Sequence, residues 1–172
     1  MLSKSKNIHF IGIGGIGMSG IAQLLLSMNF DITGSDIIES NRINDLRDLD
    51  IDIDIGHSRN NIKTPDLIVY SSAIKLDNVE IIEAQKKFIP VIRRAEMLGE
   101  LLKLKKISIA VSGTHGKTTT SSMLGAILIE AKLNPTLVIG GIVNSFGSNS
   151  VSGMGDIIVV EADEFDRSFL SL

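Results

Sequence analysis

The segment Gly113-Thr114-His115-Gly116-Lys117-Thr118-Thr119-Thr120 follows the apolar run Ile107 to Val111 and precedes a helix-forming stretch from Ser121 to Ala131. A strand that turns through glycines into a helix aims several backbone N–H groups and the positive end of the helix dipole at one point, and that arrangement suits a polyphosphate. The chain is therefore expected to fold here as strand, tight loop and helix laid back on a sheet. In such a loop Lys117 reaches the β and γ phosphates and the Thr118 hydroxyl binds Mg²⁺. A second apolar run, Ile157 to Val160, ends in Glu161-Ala162-Asp163-Glu164. It sets carboxylates at the C-terminal end of a neighbouring strand, where a hard cation needs oxygen ligands. Glu161 is the expected metal ligand beside Thr118, while Asp163 and Glu164 orient the ligands or open a helix. The loop departs from the common G-x-x-x-x-G-K-[ST] pattern, which would put glycine where this chain has Val111.

A second glycine run, Gly12-Ile13-Gly14-Gly15-Ile16-Gly17-Met18-Ser19-Gly20, lies between an apolar strand, Asn7 to Ile13, and a helix from Met18 to Met28. Gly12-x-Gly14-x-x-Gly17 has the spacing of a diphosphate-binding turn, and Asp36, which ends the second strand, stands where a ribose-binding acid is expected. By themselves these residues are compatible with a dinucleotide, with another nucleotide diphosphate, or with glycines that serve only close helix–sheet packing.

Between the two loops the pattern alternates. Phe30 to Thr33 reads as a strand, Ile43 to Leu49 as a short amphipathic helix and Asp52 to Ile55 as a short alternating strand. Asp66 to Tyr70 is an apolar strand introduced by Pro65; a helix from about Val79 to Lys87, a strand at Ile89 to Ile92 and a helix from Ala95 to Leu104 follow. Such alternation implies an α/β fold with a parallel, doubly wound sheet and ligands at the C-terminal strand ends. The basic stretch Lys103 to Lys106 is read as a domain boundary, giving domains 1–105 and 106–172, or as the cationic end of the preceding helix. After a strand at Leu133 to Ile139, the Gly/Ser/Asn-rich segment Gly140 to Gly155 is expected to be a long functional loop.

Together, G-T-H-G-K-T-T, the Glu-Ala-Asp-Glu after the next strand and the N-terminal glycine run resemble the Mur ligases, ATP-dependent enzymes that add amino acids to the peptidoglycan precursor. The resemblance runs from Ile8 to Leu172. It implies a Rossmann-like UDP-sugar-binding domain followed by the first part of a P-loop ATP-binding domain, with ATP and Mg²⁺ as cofactors. Gly113, Thr114, His115, Gly116, Lys117, Thr118 and Thr119 would hold ATP, Lys117, Glu161 and His115 would act in catalysis, and Thr118 and Glu161 would hold the metal. Gly12, Gly14, Gly15, Gly17, Met18, Ser19 and Asp36 would surround the UDP-sugar, which replaces a dinucleotide as the expected ligand. Ser71, Ser72 and Ala73 would line the uridine site, Arg94 would pair with phosphate, and Asn144 and Asn149 would face the sugar.

His115 and the unbroken Gly12 to Gly20 run are similar to the branch of the family that joins L-alanine to UDP-N-acetylmuramate through an acyl phosphate, so these two molecules are the implied substrates. The resemblance also implies that the chain stops partway through the second of three domains, short of the part that holds the amino acid. A ligase that recycles murein tripeptide, a noncatalytic UDP-sugar-binding module and a nicotinamide-dependent oxidoreductase remain as alternatives. The second phosphate loop argues against the last, which needs one dinucleotide site.

Composition narrows the partners. A net charge of −3 and no Lys/Arg cluster longer than a pair leave no electrostatic footprint for nucleic acid. The absence of cysteine excludes disulfides and thiolate metal sites, and the N-terminus lacks the apolar core of a signal peptide. No apolar run approaches the ~18 residues of a membrane span, so no membrane insertion and a cytoplasmic setting are expected. The histidines are not spaced as a metal site: His57 is expected near the uridine pocket, and His9 as a packed residue of the first strand.

Overall fold

The computed structural model describes residues 2–143 and 148–161. The chain forms two compact units, Met1–Arg94 and Ala95–Leu172. The division falls ahead of the Lys103 to Lys106 stretch that the sequence suggested, because the helix before that stretch goes with the second unit.

The first unit is a five-stranded, wholly parallel sheet. Strands β1 (Asn7–Ile11), β2 (Asp31–Asp36), β3 (Asp52–Ile55), β4 (Leu67–Tyr70) and β5 (Val91–Arg93) lie in the order β3-β2-β1-β4-β5. The central strands are mostly apolar, as a sheet covered on both faces requires: Ile8, Phe10 and Ile11 of β1 and Leu67, Ile68 and Val69 of β4 are all buried, with His9 of β1 the buried polar exception. The edge strand β3 alternates Asp and Ile and buries only Ile53. Helices α1 (Ile16–Ser27), α2 (Asn41–Arg47) and α3 (Val79–Lys86) connect the strands. Ser40 and Asn78 cap α2 and α3 by accepting the N–H groups of Ile43 and Glu80.

The order of strands makes β1 and β4 neighbours although two strands intervene in sequence. The chain leaves β1 toward one side and returns to β4 on the other, so a crevice opens beyond their carboxyl ends. It is there that Gly12 turns the chain, at φ +81°, a conformation L side chains rarely adopt. The strand expected to reach Ile13 accordingly stops at Ile11, and the helix expected at Met18 begins at Ile16.

In the second unit, α4 (Arg94–Leu102) leads to β6 (Ile107–Val111), α5 (Lys117–Glu130), β7 (Thr136–Val143), β8 (Ser148–Val151) and β9 (Ile157–Glu161), with sheet order β6-β9-β7-β8. The pairs β6–β9 and β7–β9 are parallel and β7–β8 is antiparallel. Leu124 and Leu128 of α5 pack on Leu137, Ile139, Ile157 and Val159. At Gly125 the helix comes so close that a Cβ would lie 2.7 Å from Leu137 Cδ1.

Three expectations are corrected here. Gly140 to Gly155 is not one long loop: β7 runs on through Gly140 and Gly141, and β8 pairs back on it with a register shift between Val138 and Val143. The flanking β-branched residues favour extended backbone, and strand glycines are tolerated beside such an irregularity. Helix α5 starts at Lys117 rather than Ser121, because Gly116 caps it from the left-handed region at φ +76°. The basic stretch also does more than link or cap. Lys105 Nζ donates to the carbonyls of Gly153 and Gly155, both at 2.8 Å, and Lys106 pairs with Asp156 at 2.8 Å.

Candidate functional site

The first candidate site is the crevice of the parallel sheet. Gly12 and Ile13 donate their backbone N–H groups to Ser35 O, which fixes the loop against the end of β2. Asp36 Oδ2 accepts from Gly14 N at 2.8 Å and Oδ1 from Ile38 N at 3.3 Å, while Arg42 Nε donates to Gly14 O at 2.8 Å. The carboxylate expected to bind ribose thus braces the glycine loop. The crevice is a cleft of about 380 Å³ lined by Gly12, Gly14, Gly15 and Asp36 on one side and by His57, Ser71, Ala73 and Ile74 on the other. Its volume is within the range of small-molecule sites, ~300 to 1,000 Å³.

Gly17 meets a different requirement. A Cβ there would lie 2.6 Å from Arg94 Nη1 and 3.3 Å from its Cδ and Cζ. The guanidinium at the end of β5 therefore crosses the first turn of α1, a cation placed beside the expected diphosphate position. Met18 and Ser19, expected around the substrate, face inward at 2% and 5% exposure. Ser19 Oγ donates to Ile16 O, so these two side chains serve the α1 packing and not the cleft. Ser71 accepts from Ala73 N and Ile74 N in a turn that brings Ala73 and Ile74 to the cleft, whereas Ser72 is exposed and not among its lining.

Sequence reasoning missed Ile37, Ile38, Ser40 and Arg42 of this lining. The pair Ile37-Ile38 carried a usable signal. Two large apolar residues directly after a strand end, in a turn rather than a strand, stay exposed, at 64% and 66%, unless something covers them. The expected site residue Asn144, with Asp163 and Glu164, lies outside the described residues.

The second candidate site is the loop between β6 and α5. Lys117, the first residue of α5, donates from Nζ to Gly113 O at 2.5 Å, which closes the loop on itself. Thr118 Oγ1 lies 3.0 and 3.1 Å from the two carboxylate oxygens of Glu161. That meeting follows from topology: β6 and β9 are parallel neighbours with Val111 opposite Glu161, so the strand end carrying the acid stands beside the loop that leaves β6. Thr114, His115, Gly116 and Thr119 are exposed around the loop. A hydroxyl and a carboxylate at contact distance form a hard-oxygen pair. They suit Mg²⁺, which binds through one or two protein groups and completes its shell with water and phosphate oxygens. Among the described residues no group of three or more His, Cys, Asp or Glu side chains could hold a metal ion.

His9 is a packed strand residue, as expected. Its Nδ1 lies 2.9 Å from Thr33 Oγ1, Nε2 is buried without a partner, and the ring is 1% exposed. Burial, reinforced by the neighbouring His57, lowers its pKa to about 4. Among the described residues no helix is long and apolar enough to cross a membrane.

Residues 7–106 match the model of the Mur ligase family, catalytic domain. The chain is 53% identical over 165 residues to the UDP-N-acetylmuramate–L-alanine ligase of Rhodopseudomonas palustris, covering 96% of this chain and 35% of that protein. Among solved structures it is similar to the UDP-N-acetylmuramate–alanine ligase of Thermotoga maritima, with 41% identity and a TM-score of 0.84, covering 92% of this chain and 37% of that one. It is also similar to a murein peptide ligase of Psychrobacter arcticus, with 29% identity and a TM-score of 0.85, covering 97% and 41%. The chain therefore spans little more than a third of the length of these proteins.

Proposed function

This chain belongs to the Mur ligase family, and on that premise we propose that it supplies the UDP-sugar site and the ATP-phosphate loop of a ligase joining L-alanine to UDP-N-acetylmuramate. The meeting of Thr118 with Glu161 behind the Gly113 to Lys117 loop carries this reading, because a hydroxyl and a carboxylate so placed serve a Mg²⁺–nucleotide and have no purpose in a dinucleotide-binding oxidoreductase. Identity of 53% to a protein named for this reaction, against 29% to a murein peptide ligase, favours the alanine-adding activity over the recycling one.

Each group has a stated task in this reading. When bound, ATP with Mg²⁺ would supply the γ-phosphoryl group to the sugar's lactyl carboxylate with release of ADP, and the amine of L-alanine would displace phosphate from the resulting acyl phosphate. Thr118 and Glu161 hold the cation, and Lys117 turns from Gly113 O to the phosphates, where its charge offsets the negative charge that shifts during transfer. The loop amides and the N-terminus of α5 bind the phosphate oxygens, and His115 stands in the loop beside them. In the first unit the N-terminus of α1 and Arg94 hold the sugar nucleotide's diphosphate, and Ser71 and Ala73 border its uridine.

Calorimetry on this chain tests both parts. UDP-N-acetylmuramate is expected to bind more tightly than NAD, and ATP is expected to bind only with Mg²⁺. Tighter binding of NAD would remove the sugar-nucleotide assignment.

A further inference from the structure

The two faces of β1, β2 and β3 differ in kind. Ile8, Phe10, Ile32 and Ile53 belong to one face and are buried. The alternate residues His9, Asp31, Thr33, Asp52 and Asp54 belong to the other, where with Asn61 and Lys63 they line a cleft of about 240 Å³. This cleft shares no lining residue with the crevice of the glycine loop. A doubly wound sheet ordinarily buries both faces under apolar contacts, so a polar stripe across three adjacent strands is a departure from the pattern.

Two observations set what the cleft takes. The first is an unsatisfied nitrogen. His9 Nε2 is buried without a partner in a ring 1% exposed, while Nδ1 lies 2.9 Å from Thr33 Oγ1. Nδ1–H can donate to that hydroxyl oxygen, which leaves the Nε2 lone pair to the cleft. The charges of Asp52 and Lys63 both act on the ring, and burial holds its pKa at about 4, so it is neutral in the physiological range. The second is charge. Three carboxylates line the cleft against one lining cation, Lys63. Asp52 pairs with Lys63 at 3.3 Å and Asp31 with Lys6 at 3.8 Å, while Asp54 has no ion-pair partner among the described residues. Lys63 is 70% exposed, and so exposed a pair yields Asp52 at little cost.

A single metal ion does not suit this arrangement, since among the described residues no three His, Cys, Asp or Glu side chains are placed to hold one. Asp52 and Asp54 are two residues apart on one strand, about 6.6 Å along it, and Asp31 stands on the neighbouring strand. Amines linked by a few methylenes can meet carboxylates spaced in this way one by one. We propose that the cleft binds a linear diamine or polyamine, with one ammonium on Asp54 and the next donating to Asp52 and His9 Nε2. The site lies apart from the nucleotide crevice and does not depend on the function proposed above.

NMR on the 172-residue chain labelled with ¹⁵N-histidine, at about pH 7.5 and constant ionic strength, tests this above the ordinary imidazole range. Putrescine is expected to move the His9 Nε2 resonance saturably, and spermidine to do so at lower concentration. MgCl₂ at the same ionic strength is expected to leave it in place. Asp52 and Asp54 are exposed, so a chain carrying both Asp52→Asn and Asp54→Asn should fold as wild type does; it is expected to bind putrescine about tenfold more weakly. Asp45→Asn, at an exposed position of α2 outside the cleft, is expected to bind as wild type does. A His9 resonance that putrescine leaves unmoved, an equal response to Mg²⁺, an equal loss in Asp45→Asn, or unchanged affinity in the double variant overturns the proposal.

Discussion

The hydroxyl of Thr118 meets both carboxylate oxygens of Glu161, at 3.0 and 3.1 Å, across 43 residues of sequence. A helix start and a strand end are thereby joined at one point, and the pair is the most exacting test of the proposed nucleotide chemistry. Glu161→Ala is expected to weaken Mg²⁺-dependent ATP binding by at least about tenfold, the effect of losing one charge-assisted ligand, and to leave UDP-sugar binding unchanged. Titration of ATP at several Mg²⁺ concentrations measures it. A variant with unaltered Mg²⁺ dependence would take Glu161 out of the metal site.

The glycine loop of the first unit should not tolerate a side chain at residue 14. A Cβ on Gly14 would lie 2.9 Å from Asp36 Oδ2 and 3.1 Å from Ile43 Cδ1. Gly14→Val adds two further methyl groups and is expected to destabilise the first unit by ~1 to 3 kcal/mol, as overpacking does, and to weaken UDP-N-acetylmuramate binding. Urea unfolding and calorimetry on the same preparation separate the two effects. Wild-type stability together with wild-type affinity would mean that the loop has room the geometry denies.

Asp36→Asn keeps the shape and removes one acceptor. Asp36 braces Gly14 N and Ile38 N with its two oxygens, and an amide can accept from only one of them. A stability loss of ~1 kcal/mol is expected, in the range of one broken hydrogen bond, accompanied by weaker sugar-nucleotide binding. If Asp36 instead bound ribose without bracing the loop, affinity would fall and the unfolding curve would not move.

His9 should make the fold acid-sensitive. Its pKa is lowered to about 4 in the folded protein against 6.5 for the free side chain. Between these values the unfolded chain binds the proton that the folded one refuses. The stabilising contribution is complete above about pH 6.5 and is lost as pH falls toward 4, with a change of about 2 kcal/mol between pH 7 and pH 5. Denaturant unfolding at the two pH values should show this difference in wild type and a smaller one in His9→Gln. Equal pH dependence in both proteins would assign the acid sensitivity to other groups.

Local order in the chain was enough to determine much of this protein. The strand–glycine–helix turns at Gly12 and Gly113, the parallel first sheet and the pairing of Thr118 with Glu161 follow from apolar runs, glycine spacing and the rule that ligands gather at carboxyl strand ends. Each of these rests on neighbours along the chain or on adjacency within one sheet. The β7–β8 pairing was hidden because a glycine-rich composition signals a loop unless a partner strand is known to lie alongside.

Other features exist only once distant segments have met. Asp36 became a brace of the glycine loop, Gly17 a gap filled by Arg94, and Met18 and Ser19 a buried helix face, because packing decides which side of an element turns inward. The network of Ser35, His57, Asn61 and Glu80 brings β2, the segment after β3 and α3 together at one buried carboxylate. No spacing along the chain announces it, since a buried charge is satisfied by whatever donors the tertiary fold brings within hydrogen-bond distance.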